Sequence, residues 1–189
     1  MAHIPSTDVS RIPAEAKQLL QEWETAYGRP SHVYRVMATN PRVMAASARA
    51  WLDLVTRPSR LPRWVKEAVV VVTCSTQGTV YCVQGHSHAI SLQGIAAHQV
   101  KAIKEHRFDV FDDPERSIFV FAKKAAGQPK AMSAEDYDAL RAAGLDDETI
   151  LEVLGCIWVN TAMNQIVDAL GVKRTAEQMK ELQNPGARG

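Results

Sequence analysis

The sequence predicts an all-α protein, a single helical bundle. Three observations carry that reading. Apolar residues recur at three- and four-residue spacing along most of the chain. Asn, Asp, Ser or Pro stand where those stretches begin, and glycine stands just past their ends. No segment shows the two-residue alternation of a half-buried strand, and no repeat or low-complexity tract interrupts the pattern.

Pro13 opens a first helix, Pro13–Tyr27, with Leu19, Leu20 and Trp23 on one side and Gly28-Arg29-Pro30 as its stop. A short segment, Val33–Ala38, follows. Asn40-Pro41 reads as an N-cap and a first-turn proline. The helix they open, Pro41–Thr56, carries Val43, Ala46, Ala50, Trp51 and Leu54. Arg57-Pro58-Ser59-Arg60 is a loop. Pro62 begins the next helix, Pro62–Gln77. Its Val69–Val72 centre has the local preference of a strand. The stretch is long for a strand, and a central helix walled in on all sides can be apolar all round, so helix is expected. Gly78 ends it, and Thr79 is the expected N-cap of a helix running to Gln93. Further helices are expected at Ala96–Glu105, from Asp113-Pro114-Glu115 to Ala126, from the Ser133-Ala134-Glu135-Asp136 cap to Gly144, and at Asp147–Leu170. In the last, Ile150, Leu151, Leu154, Ile157 and Trp158 are expected to face inward. The linker His106–Asp113 has Phe108, Val110 and Phe111 to bury. Residues 1–12 and 173–189 are expected to be flexible or docking arms, the second fraying from Asn184-Pro185-Gly186.

Composition narrows the function classes. The chain has 189 residues, 22 Lys+Arg against 21 Asp+Glu, and a formal charge of +1. That balance supplies no electrostatic footprint for nucleic acid or an anionic membrane. The longest unbroken apolar run, Ala68–Val72, is far short of the roughly 20 residues a bilayer demands, so no membrane span is expected. The opening MAHIPSTDVSRIPAEAK has no basic segment leading an apolar one, so no secretory signal is expected. Three widely spaced cysteines do not make a disulfide scaffold, and a cytoplasmic location is the expectation.

Chemistry concentrates between Glu67 and His88: EAVVVVTCSTQGTVYCVQGHSH. Cys82 and His86 are four apart and share a helical face. Cys82 lies in the first turn of its helix, where unpaired N–H groups and the dipole stabilise a thiolate. His86 can take the thiol proton. If two helices fold back about Gly78, Glu67 returns toward His86 and orients its imidazole. Thiol, imidazole and carboxylate in series make an activated nucleophile. The plainer alternative is a buried thiol beside a core histidine.

The same residues carry a resemblance to the alkylhydroperoxidase AhpD / carboxymuconolactone decarboxylase superfamily, in particular its peroxidase-related branch. That family has a glutamate, then Cys-x-x-Cys at a helix start, then a histidine four residues after the second cysteine. Glu67, Tyr81-Cys82 and His86 match. So does the C-terminal stretch FAKKAAGQPKAMSAEDYDALRAAGLDDETILEV with Asn160, Asn164 and Asp168–Val172. The resemblance spans nearly the whole chain. It implies an AhpD-like all-α bundle and a homo-oligomer. It implies Cys82, His86 and Glu67 as catalytic residues with Thr79, Tyr81 and Asn160 in support. The first motif cysteine is replaced by Thr79, so a Cys-x-x-Cys disulfide cannot form. What remains is a one-cysteine mechanism, in which Cys82 becomes a sulfenic acid and an external thiol reductant restores it.

Other candidates read more plainly. Cys74, seven residues after Glu67, is expected to be a core thiol, with resolution of a Cys82 sulfenate as the alternative. Cys156 is expected in the core. His88 would extend the set toward a metal site, but His86 and His88 are two apart and point to different faces, so no metal and no cofactor is expected. His98 and His106 are expected to be solvated or at helix ends. Trp23, Trp51, Trp64 and Trp158 are expected in the core or an interface. Asn160 and Asn164 are expected to bond between helices, with a place in the Cys82 pocket as the alternative. Gly85 costs helix stability and suggests close packing or room for a small-molecule ligand. The leading function is thiol-dependent reduction of hydroperoxides or related electrophiles. The alternatives are a cofactor-free decarboxylase or lactone-processing enzyme using His86 and Glu67, or a non-catalytic oligomeric binding protein.

Overall fold

The centre of the bundle is one helix, Arg63–Gln77, in which every residue from Val65 to Cys74 is buried. Val69, Val70, Val71 and Val72 have no exposed surface. Their local β preference is overridden because neighbouring helices enclose this one on all sides, and each buried valine contributes about 1.5 kcal/mol or more. The computed structural model describes residues 2–183, and among them every regular element is helical.

The helices in chain order are α1 (Ala14–Tyr27), α2 (His32–Met37), α3 (Pro41–Trp51), α4 (Arg63–Gln77), α5 (Val80–Ser91), α6 (Ala97–Lys104), α7 (Glu115–Gly127), α8 (Ala134–Ala142), α9 (Asp147–Ala169) and α10 (Ala176–Gln183). α4 packs against α5, α7, α9 and α6, while α1 and α3 pair beside it. Caps set several starts. Asn40 accepts from the Val43 N–H, Asp146 from Thr149, and Ser133 with Asp136 forms a reciprocal capping box. The α4–α5 turn depends on Gly78, whose φ of 82° lies in the left-handed region.

The structure departs from the sequence expectations at several positions. The helix expected over Pro41–Thr56 is α-helical only to Trp51. It widens into a π turn at Leu52–Thr56, where the Thr56 hydroxyl donates to the Leu52 carbonyl. Leu151 and Trp158 in α9 are exposed, at 67% and 63%, rather than inward. The buried stripe runs through Ile150, Val153, Ile157, Asn160, Asn164 and Val167, and the two exposed residues sit one position round the helix from it. Val43 is likewise largely exposed. α9 is long and apolar enough, by length and composition alone, to cross a bilayer. Its scattered polar residues break the apolar runs without lowering the average. Half of that stretch is buried within the bundle.

The arms, expected to be flexible or docking, contact the bundle among the described residues. The His3 N–H donates to the Leu170 carbonyl, and α10 follows the end of α9 and packs on α5. The expectation for Asn184 onward lies outside the described residues. The linker before α7 buries Phe108 and Phe111 against Phe119 as expected, while Val110 is partly exposed.

Candidate active site

Glu67 sits in the second turn of α4 and His86 mid-way along α5, and the turn at Gly78 folds one helix back on the other. His86 Nδ1 is 2.7 Å from Glu67 Oε2. A carboxylate only accepts, so Nδ1 carries the proton and Nε2 is left as the working nitrogen. Glu67 is fully buried, and a charge there requires partners. It has three. His86 holds one oxygen. On the other, the Tyr27 hydroxyl donates to Oε1 at 2.8 Å, and Arg63 Nε stands 3.7 Å away. Trp51 Nε1 in turn donates to the Tyr27 oxygen at 2.8 Å. The chain of contacts is therefore Trp51, Tyr27, Glu67, His86. Burial and the neighbouring carboxylate push the Tyr27 phenol well up, so it stays a donor. The Trp51 ring also lies against the imidazole, with centroids 4.9 Å apart.

Cys82 is the third residue of α5, in the turn whose N–H groups lack helical partners. It and His86 line one small cavity of about 30 Å³, enough for a water molecule or the oxygens of a peroxide. No hydrogen bond joins the thiol to His86 among the described residues. The two face the same space, and a bound molecule completes the link. Trp23, Tyr34, Trp51, Tyr81 and Met163 supply aromatic and thioether walls, and Arg29 and Arg174 close the mouth.

Two supporting assignments change, those of Thr79 and Asn160, while Tyr81 keeps its place. Thr79 stands at the start of α5 but makes no side-chain cap. Its hydroxyl instead donates to Asp168 Oδ2 at 2.7 Å, tying the hairpin to α9. Asn160 is fully buried yet does not line the Cys82 cavity. Its amide donates to Cys74 Sγ at 3.2 Å and its oxygen lies 3.4 Å from the same sulfur. Asn164 bonds Gln77, with 2.8 Å between amide nitrogen and oxygen, so the two asparagines join α9 to α4 as expected. Tyr81 lines the cavity, and its carbonyl accepts from Arg174 Nη2 at 3.1 Å.

The remaining candidates fall outside the cavity. Cys74 is buried behind Cys82. Desolvation pushes its thiol well up, and the adjoining Cys82 adds to the effect. Cys156 is buried in α9 and is pushed up to about 12 by desolvation. His88 is half-buried and lies on another face, lining a separate cleft. No cluster of metal-ligating side chains occurs among the described residues. His106 is at a helix end as expected, but it is half-buried and bonds Ser75 Oγ at 2.8 Å rather than standing in solvent.

Sequence reasoning placed Trp51 and Trp23 in the core without assigning them to the site. It assigned no role to Tyr27, Arg29, Arg63 or Arg174. The Tyr27–Glu67 bond spans 40 residues, and no local spacing announces it. The one available signal was Gly85, whose small size in a helix interior suggested a close approach by another group.

The chain is similar to a solved AhpD-core structure, an uncharacterized peroxidase-related protein from Ralstonia eutropha JMP134. The two share 18% identity over 94% of each chain, with a TM-score of 0.85. A second uncharacterized peroxidase-related protein, from Silicibacter sp. TM1040, aligns at 20% identity over 95% of this chain and 94% of its own, with a TM-score of 0.83. The debrominase Bmp8, solved as a cysteine-to-alanine variant in complex with 2,3,4-tribromopyrrole, aligns at 19% identity over 98% of this chain and 97% of its own, with a TM-score of 0.83. No protein-family model and no curated protein matches the chain. The fold is the AhpD-like all-α bundle.

Proposed function

We propose that the protein reduces hydroperoxides or related small electrophiles through the single nucleophilic cysteine Cys82. The observation that supports this most is the shared cavity of Cys82 and His86, with the imidazole anchored from behind by Glu67, Tyr27 and Trp51. His86 Nε2 takes the thiol proton as the general base. The thiolate attacks the terminal peroxide oxygen. The S–O bond forms and the O–O bond breaks. The alkoxide leaves as an alcohol, carrying the proton that His86 held. Sulfur is oxidised by two electrons to Cys82–SOH. An external thiol condenses with it, releasing water, and a second external thiol frees Cys82 and departs in a disulfide. Thr79 in the first-cysteine position removes the internal Cys-x-x-Cys relay, so the reductant comes from outside.

A second electrophile class has one observation in its favour. Trp23, Tyr34, Trp51 and Tyr81 give the cavity flat aromatic walls. Such walls suit an aromatic electrophile if the cavity, about 30 Å³ as it stands, widens to admit a ring, and the similar debrominase was solved with a brominated pyrrole. The acid/base alternative would use His86 and Glu67 and leave Cys82 dispensable.

Replacing each residue separates these readings. With cumene hydroperoxide and excess dithiothreitol, Cys82→Ser is expected to abolish turnover. His86→Ala is expected to slow it by about 100-fold or more, and Glu67→Gln more mildly. Sulfenic acid at Cys82, trapped with dimedone and located by mass spectrometry, is the expected intermediate. Full turnover in Cys82→Ser would defeat the thiol mechanism and favour the acid/base one. Turnover of 2,3,4-tribromopyrrole but not of peroxide, abolished by Cys82→Ser, would favour the aromatic electrophile.

A further inference from the structure

Two arginines meet over the reactive thiol with no acid to pair them. Arg29 follows the end of α1. Arg174 lies in the segment between α9 and α10. Both approach α5 at Gly85, where a Cβ would lie 2.4 Å from Arg174 Nη2 and 2.9 Å from Arg29 Nη2. Gly85 is therefore the position at which α5 makes room for two guanidinium groups. Arg174 stacks on the Tyr81 ring, its Cζ 3.9 Å from the centroid, and Arg29 stands over Trp23 at 5.5 Å.

Bringing two permanent cations together at a half-buried position is unfavourable unless an anion joins them. Among the described residues neither arginine makes a salt bridge, although most of the arginines elsewhere do. Arg174 Nε is buried and has no hydrogen-bond partner. Both arginines line the Cys82 cavity on one side and a larger outer cleft, about 470 Å³, on the other. Among the described residues one carboxylate lines that cleft, Glu177, and it pairs with neither. The forked, always charged guanidinium matches a carboxylate in shape and charge.

We propose that Arg29 and Arg174 form an anion clamp at the mouth of the Cys82 cavity, and that the substrate is an electrophile carrying a carboxylate held by both guanidiniums. The carboxylate sits on the clamp from the outer cleft while the electrophilic end reaches Cys82. This rests on the reading of Cys82 as the nucleophile. It adds a substrate class that the peroxidase reading leaves open. The structural alternative is that Arg174 only docks its segment onto Tyr81.

The rates at which iodoacetate and iodoacetamide alkylate Cys82 distinguish the two, followed by mass spectrometry near neutral pH and low salt. Both reagents require the same thiolate, so their rate ratio cancels any change in thiolate population and reports recognition of the carboxylate alone. An unassisted thiolate favours the neutral reagent, because like charges repel. The parent protein is expected to favour iodoacetate. Arg174→Gln and Arg29→Gln are each expected to lower the ratio about tenfold, the factor carried by one charge-assisted hydrogen bond. Gly85→Ala keeps both arginines but displaces their ends and raises helix propensity, so it is expected to lower the ratio while keeping the fold. A ratio unmoved by all three variants overturns the clamp. Equilibrium binding tests the clamp without any thiol chemistry. Benzoate, but not benzamide, is expected to quench the fluorescence of Trp23 and Trp51 saturably, with a Kd about tenfold weaker in Arg174→Gln. If Cys82 reacts with neither alkylating reagent, the nucleophile reading fails and the benzoate titration still decides the clamp. Equal responses to benzoate and benzamide would defeat it.

Discussion

Tyr27 serves two hydrogen bonds at once, accepting from Trp51 and donating to Glu67. Removing its hydroxyl leaves a buried indole N–H and a buried carboxylate oxygen each short of a partner. Tyr27→Phe is therefore expected to cost about 1–3 kcal/mol in urea unfolding. It should also slow Cys82 alkylation, because the carboxylate that orients His86 loses a support. Unchanged unfolding would show that water replaces the hydroxyl at no cost. At this scale the sequence was partly readable. Glu67, Cys82 and His86 lie within 20 residues and on facing helices, so spacing alone brought them together. Tyr27, Arg29 and Arg174 were not readable, because their positions depend on how distant helices pack. Asn160 was readable as a buried amide, but its partner, Cys74 rather than the Cys82 cavity, was not.

The elements were more legible than their contacts. Prolines, caps and glycines marked helix boundaries to within a few residues, because those signals are local. Which face of a helix turns inward depends on its neighbours, and that is where Leu151 and Trp158 were misplaced. The α4–α6 packing carries a pH dependence. Ser75 on α4 donates to the Val71 carbonyl and so accepts from His106 Nε2 just past α6. Burial, assisted by Lys123, holds the His106 imidazole below the ordinary histidine range. Its folded value is thus lower than its unfolded one, near 6.5. The resulting contribution to stability is fully present above about pH 6.5 and is lost as the pH falls through the folded value. His32 and His88 shift the same way, again chiefly through burial. Stability is therefore expected to fall on acidification below about pH 6.5. His106→Gln should flatten that slope in part while keeping a donor for Ser75. Urea midpoints on either side of that pH, for both proteins, provide the check, and identical slopes would remove His106 from the account.

For the whole molecule, the exposed apolar side chains of α9 bear on assembly. Leu151 and Trp158 are seven apart, two turns along one face, and both are more than half exposed. Tryptophan carries a large apolar area that interfaces favour. The chain is expected to form a homo-oligomer through this face, and Trp158→Glu is expected to shift it toward monomer in sedimentation velocity. A parent protein that sediments as a monomer at micromolar concentration would refute the expectation. The bundle also divides its labour along the chain. Glu67, Cys82 and His86 occupy one continuous hairpin at the centre, whereas Arg174 stands on a short crossing beyond the last long helix. Under the proposed clamp, reactivity is rooted in the core hairpin and selectivity rests in part on the segment that carries Arg174. On that proposal, substitutions just after α9 would change which electrophile reaches Cys82 while leaving the α4–α5 hairpin untouched.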